Sequence, residues 1–147
     1  MAETRFVAKA LLLDKSGDFL LLKRADSHPH LAGFYDLPGG IVEKSEDSRT
    51  AVIREIFEET GLELAVEQVR VMYTTTKLLH GRSYPTMLYL VRVDEDRPAV
   101  TISWEHQAYE WAPVDRLSEV EPQFAPTYRE ALDYVRMHNI IEDIDLT

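Results

Sequence analysis

Hydrophobic and polar positions change rhythm several times along this chain, and each change marks an element. Arg5 to Asp14 is mostly apolar and reads as a strand. Asp14-Lys15-Ser16-Gly17-Asp18 is turn chemistry, so Phe19 to Arg24 reads as the return strand of a hairpin. Ala25 to Gly33 carries two histidines and a proline and predicts an exposed loop. Phe34 to Leu37 is a short extended piece that Pro38-Gly39-Gly40 ends. From Asp47 to Thr60 the spacing becomes helical, with Asp47 or Ser48 as the cap and Gly61 as the stop. Leu62 to Leu79 is rich in Val, Thr and Tyr and predicts one long or broken strand. His80-Gly81-Arg82-Ser83 turns the chain into another strand, Tyr84 to Val93. Beyond the acidic loop Asp94 to Pro98, Val100 to Pro113 holds at least one further strand, around Tyr109 to Ala112. Asp115 to Val120 predicts a short helix. Thr127 to Asn139 predicts a stronger one, with Tyr128, Ala131, Leu132 and Val135 as its apolar positions. Glu142 to Thr147 reads as a frayed acidic tail.

Strands on both sides of a central helix, with another helix at the end, predict an α+β fold: a mixed β-sheet sandwiched between helices. No repeat, low-complexity tract or linker divides the chain, so residues 1–147 read as a single domain. That length buries a core without disulfides, and with no cysteine present neither a disulfide nor a thiolate zinc site is available. The longest apolar run, Ala10 to Leu13, is far too short to cross a bilayer, and the N-terminus lacks a secretory pattern. A cytoplasmic protein with no membrane partner is expected, and a homodimer is left open. The net charge of −10 argues against nucleic-acid polymers as partners, since they attract clustered Lys and Arg.

Most of the 26 acidic residues read as solvated surface. Their crowding does not, because Glu43, Glu46, Glu55, Glu58 and Glu59 lie in one short stretch. At roughly 100° per residue, Glu55, Glu58 and Glu59 share one arc of a helix, and Ile53, Ile56, Phe57 and Thr60 take the opposite side. The expectation is one buried face and one face of three carboxylates. Like charges at i and i+4 cost a helix roughly 0.2–0.5 kcal/mol per pair, and the helix C-terminus disfavours negative charge. A divalent cation between the carboxylates removes both penalties, and oxygen ligands suit Mg²⁺ or Mn²⁺. Pro38-Gly39-Gly40 offers a backbone corner close to such a ligand, and Arg54 can orient a carboxylate through a forked hydrogen bond.

Gly40, five residues, Glu46, seven residues, then Arg54-Glu55-Ile56-Phe57-Glu58-Glu59-Thr60-Gly61-Leu62 resembles the Nudix box, G-x5-E-x7-R-E-U-x-E-E-x-G-U with U aliphatic. Every specified position matches. The resemblance implies a mixed sheet between helices and a hydrolase that cleaves a nucleoside diphosphate linked to a further group X. It puts Glu55, Glu58 and Glu59 in the metal-ligand positions, with the backbone carbonyl of Gly39 beside them. Glu46 and Arg54 would orient those ligands. The general base is a box glutamate or one from a later loop, and Glu105 is the natural late candidate. His106 reads as an inert surface histidine.

Outside the box the chemistry thins. Lys23 and Arg24 end a strand where either can reach a phosphate, and Phe34 or Tyr35 can stack on a base or sugar. Tyr84, Met87, Phe124 and Tyr128 read as core rather than as a base-binding wall, and His28 and His30 as bystanders. No second motif names X. A nucleoside triphosphate, including an oxidised one such as 8-oxo-dGTP, is placed ahead of a nucleotide sugar such as ADP-ribose. The alternative is a catalytically silent module of the same fold that senses nucleotides, against which the intact box argues. Isopentenyl diphosphate isomerisation on this fold would call for a cysteine.

Overall fold

The computed structural model describes residues 4–29, 32–120 and 125–137. His30, Phe124, Asn139 and the tail Glu142 to Thr147, all named above, lie outside the described residues. Near-continuous apolar runs, buried on both faces, build β1 (Val7–Leu13) and β2 (Phe19–Arg24), joined through the Asp14–Asp18 turn as predicted. Asp14 holds that turn with its carboxylate, accepting from the backbone N–H of Asp18 at 2.9 Å. The helix α1 (Ser48–Thr60) follows two short strands, β3 (Tyr35–Asp36) and β4 (Gly39–Ile41). β5 (Val69–Leu79) and β6 (Arg82–Arg92) form a long hairpin closed by His80 and Gly81 alone, with φ of 50° and 77°. A two-residue turn with both φ positive is the tight hairpin type, so β6 begins two residues before the predicted Tyr84. β7 (His106–Ala112) and α2 (Ala125–Met137) complete the order. The short helix expected after Pro113 is a 3-10 turn, Val114–Glu119.

Among the described residues these strands form one seven-stranded sheet in the order β3-β2-β1-β6-β5, with β4 added to β1 and β7 to β2. β1 and β6 run parallel and the other pairs antiparallel, so the sheet is mixed. The alternation of β1 and β2 divides the core in two. Leu11, Leu13, Phe19 and Leu21 pack towards Tyr128, Ala131 and Leu132 of α2. Ala8, Ala10, Leu12, Leu20 and Leu22 pack towards Ala51, Val52 and Ile56 of α1. The α/β/α sandwich expected from the sequence is therefore present. Lys77 crosses the α2 side as a buried cation, donating to the Tyr128 hydroxyl at 2.6 Å and lying 4.8 Å from the centre of that ring. Among the described residues no helix is long and apolar enough to cross a membrane.

The Pro38-Gly39-Gly40 corner is more than the break the sequence suggested, because Gly39–Ile41 pairs antiparallel with β1. Only glycine permits this. Gly39 has φ +136°, and a Cβ there would run into the carbonyl oxygen of Ala8 and come 2.7 Å from Lys9 Cα. Gly39→Ala should therefore combine backbone strain with a clash against β1, at a cost of about 3 kcal/mol or more. Gly17→Ala, at φ +90° but with nothing within 4 Å, should lose only the left-handed strain of about 1–2 kcal/mol. Urea unfolding of both variants checks this, and equal losses would contradict the close approach.

Candidate active site

Helix α1 starts where the sequence places it. Asp47 is the cap, its Oδ1 accepting from Thr50 N–H at 2.8 Å, and Gly61 ends the helix at φ 77° with its N–H on the Phe57 carbonyl. The face it buries corrects the expectation. Ala51, Val52, Ile56, Glu59 and Thr60 are buried, whereas Phe57 is half exposed. Seen down the axis, Glu59 lies about 20° from Val52, on the side away from Ile56, and Ala51 falls between Glu58 and Glu55, so the acidic arc overlaps the apolar one rather than opposing it. Glu59 is 2% exposed, Glu55 is mostly buried, and Glu58 stands at the rim.

The glycine corner and Arg54 hold these carboxylates. The N–H of Gly39 donates to Glu59 Oε1 at 3.3 Å. A Cβ on Gly40 would lie 2.8 Å from Glu55 Oε1, so the bare glycine makes the space that carboxylate occupies. Arg54 donates through Nε and Nη2 to the two oxygens of Glu46, at 3.2 and 2.7 Å. Its Nη1 reaches Glu55 Oε1 at 3.1 Å and Glu58 Oε2 at 3.2 Å. The forked bond from Arg54 holds Glu46 below the usual carboxylate range. Burial acts the other way on Glu59. It raises that carboxyl well above its ordinary value against the opposing charge of Lys9, with Asp36 and Glu55 adding to the rise. Glu55 is also raised by burial, while its hydrogen bond to Glu59 and the charge of Arg54 pull it down.

His106 is not the surface residue the sequence suggested. It opens β7, is 6% exposed, and its Nδ1 lies 4.0 Å from Glu59 Oε2. Among the described residues both its ring nitrogens, Glu59 Oε2 and Ser103 Oγ are buried without a hydrogen-bond partner. Burial lowers His106 to about 4, so the imidazole is neutral beside Glu59. Next to it, Lys9 Nζ donates to Asp36 Oδ1 at 2.9 Å, and Arg24 binds Asp36 Oδ2 at 3.0 Å. Sequence reasoning missed Lys9 and Asp36. The signal available was a lone lysine inside the apolar run Val7-Ala8-Lys9-Ala10-Leu11.

The remaining candidates separate. Arg24 is engaged by Asp36, and Tyr35 packs against the α2-side core, so the structure gives both a structural place. Lys23 is half-buried on β2, opposite Tyr35 and Ala108. Glu105 lies in a turn closed by His106 N–H on the Ser103 carbonyl at 3.2 Å, with its carboxylate 3.6 Å from His28 Nε2. An open hollow of about 800 Å³ flanks the loop before α1, lined by Arg5, Phe6, Val42, Lys44, Glu46 and Met87. Glu43 and Glu46 line it, but none of Glu55, Glu58 and Glu59 does, so it is separate from the three-carboxylate face of α1.

Whether these residues suit a divalent cation can be judged from their donors. Among the described residues no three acidic or histidine side chains gather on one point, because Arg54 draws Glu55 and Glu58 to itself. The donor set nevertheless fits a hard ion: it is all oxygen, and Glu59 keeps a buried oxygen with no partner. A cation there would meet the excess of carboxylates that one arginine leaves.

The NUDIX domain model matches residues 3–135. A MutT-like protein from Streptomyces ambofaciens is 29% identical over 134 residues, covering 88% of this chain and 80% of that one. The asymmetrical bis(5'-nucleosyl)-tetraphosphatase of Rattus norvegicus is 32% identical over 107 residues, covering 70% of this chain and 69% of that one. The crystal structure of a MutT protein from Methanosarcina mazei Go1 superposes with a TM-score of 0.78 at 25% identity, over 90% of this chain and 96% of that one.

The pH response of the metal-free protein follows from the two opposed shifts. His106 takes a proton near 6.5 in the unfolded chain and only near 4 in the folded one, so it removes stability as pH falls through that window. Glu59 takes its proton earlier when folded than when unfolded, so it adds stability as pH falls towards 4.5. In excess chelator, His106→Gln should flatten the acid-side loss and Glu59→Gln should steepen it. Glu59→Gln should also be the more stable at pH 7. Urea unfolding across pH 4–7 checks this, and equal slopes in the three proteins would contradict it.

Proposed function

The chain belongs to the NUDIX family, and we propose that, as a hydrolase of that family, it cleaves a diphosphate linkage in a nucleoside diphosphate joined to a further group X. The observation that carries the site assignment is Glu59. A carboxylate held in the interior with an unpartnered oxygen, beside a second carboxylate in a like position, calls for a cation that the protein does not supply.

In this reading Glu55, Glu58 and Glu59, with the carbonyl of Gly39, hold Mg²⁺ or Mn²⁺. When bound, the ion supplies Lewis acidity towards phosphate oxygens and lowers the pKa of water. Arg54 and Glu46 fix where the ligand carboxylates stand, since the forked bond between them anchors the helix to the loop before it. Lys23 at the end of β2 meets a substrate phosphate. Glu105, half exposed on its turn, takes the proton from the water that attacks phosphorus. The substrate classes supported are a nucleoside triphosphate, oxidised ones included, and a nucleotide joined to a sugar or a second nucleotide. The rat relative, whose name describes a bis-nucleosyl tetraphosphate, supports the last of these. The absence of cysteine favours a cytoplasmic setting.

Three outcomes test this. Hydrolysis of a nucleotide panel, resolved by product mass, should require Mg²⁺ or Mn²⁺ and stop in excess chelator. Glu58→Gln should cut turnover strongly while leaving the fold intact, because Glu58 stands at the exposed rim and an amide is a poor substitute for an ionised ligand. Glu105→Gln should cut turnover roughly 10²–10⁴-fold with little change in binding. Wild-type turnover in Glu105→Gln moves the base into the box, and full turnover in chelator removes the metal assignment.

A further inference from the structure

Trp104 is the feature the fold does not explain. It is a large apolar side chain left 71% exposed, at the second position of the Ser103–His106 turn, where polar residues are ordinary. Single exposed apolar residues are common and mean little by themselves. Three facts set this one apart. Its ring is held, stacked on His28 with centroids 6.5 Å apart and planes inclined by 22°. His28 in turn lies 3.6 Å from the Glu105 carboxylate, and the backbone carbonyl of Glu105 accepts from Ala25 N–H at 2.8 Å, so the two loops are tied together. Finally, the turn aims its residues in opposite directions: His106 goes inward to Glu59, while Trp104 and Glu105 stay at the surface.

We propose that Trp104, backed by His28, is a stacking platform for the nucleobase of the substrate and so a specificity-determining residue. This deepens the proposed function and rests on it. Two residues span at most about 7 Å of backbone, so the platform borders the carboxylate site at a range that a nucleoside diphosphate bridges. A flat π-face without a built polar socket accepts any nucleobase, because stacking is tolerant of base identity. A protein partner is the weaker reading. Beside Trp104 stand the His28 ring and the Glu105 carboxylate, polar neighbours rather than a broad apolar patch. Tyr35, the aromatic that sequence suggested for this role, instead packs against the core.

The test compares Trp104→Ala, Trp104→Leu and Trp104→Phe, using ADP-ribose as the nucleotide and 5-phosphoribosyl diphosphate as a diphosphate without a base. Trp104→Ala and Trp104→Leu should raise KM for ADP-ribose about tenfold, with kcat changed far less. Trp104→Phe should restore most of the loss, since it returns a π-face, whereas leucine returns only bulk. Selectivity for the nucleotide over the base-free diphosphate should fall by the same factor in the alanine and leucine variants. Direct binding gives a second readout. ADP should saturably quench the tryptophan emission of the wild type, and the quench should vanish in Trp104→Phe, which keeps only the buried Trp111. Unchanged KM in Trp104→Ala, rescue by leucine, or a quench that persists in Trp104→Phe would overturn the platform. Loss of all nucleotide hydrolysis with the Trp104 quench intact would instead overturn the hydrolase reading and leave the platform standing.

Discussion

Arg54 reaches Glu46 with two of its nitrogens and shares the third between Glu55 and Glu58. That one guanidinium stands against three carboxylates, with Glu43 approaching at 3.7 Å as a fourth. The forked bond to Glu46, helped by the charges of Glu55 and Glu46, outweighs the opposing effect of burial and leaves Arg54 charged at every accessible pH. It neutralises Glu46 fully, because that bond is forked, and Glu55 and Glu58 only in part. Glu59 receives nothing from it. The site is thus built with a fixed shortage of positive charge, and the shortage falls on the residues that burial makes least tolerant of it.

The sheet determines where that shortage sits. β4 can join β1 only because Gly39 carries no side chain, and joining it puts the Gly39 N–H against Glu59 and leaves room at Gly40 for Glu55. The same strand pairing closes the corner over the C-terminal half of α1. On the other side β7 brings His106 in as a neutral ring, which adds no charge to the pocket. Backbone geometry, not side-chain attraction, therefore forces two acids together. Such an arrangement is costly in the metal-free protein, as expected where a site is organised for a ligand rather than for stability.

The periodic parts of this architecture were legible in the sequence. Apolar runs and turn chemistry marked β1 and β2, enrichment in Val, Thr and Tyr and the turn at His80 marked the long hairpin, and the Asp47 and Gly61 signals bounded α1 to within a residue. Fixed spacing made the box unmistakable. What stayed hidden depends on contacts between distant segments. A helical wheel places Glu59 in its arc but not under β4, so its burial was misread. His106 looked like a lone surface histidine because nothing local reveals that it opens β7 beside α1. Arg24 looked available to phosphate because its partner Asp36 is 12 residues away on β3. Trp104 drew no attention, since a tryptophan near strand residues reads as core until its exposure is seen.

If Glu55 and Glu59 hold a divalent cation, the buried pair must give up a proton to receive it. Counting the protons released when Mn²⁺ binds, by calorimetry in buffers of different ionisation enthalpy, tests it most directly. Mn²⁺ should bind saturably with net proton release near pH 5. The release should shrink as pH rises past the raised Glu59 value and be largely lost in Glu59→Gln. Binding without proton release, or the same release from wild type and Glu59→Gln, would contradict it.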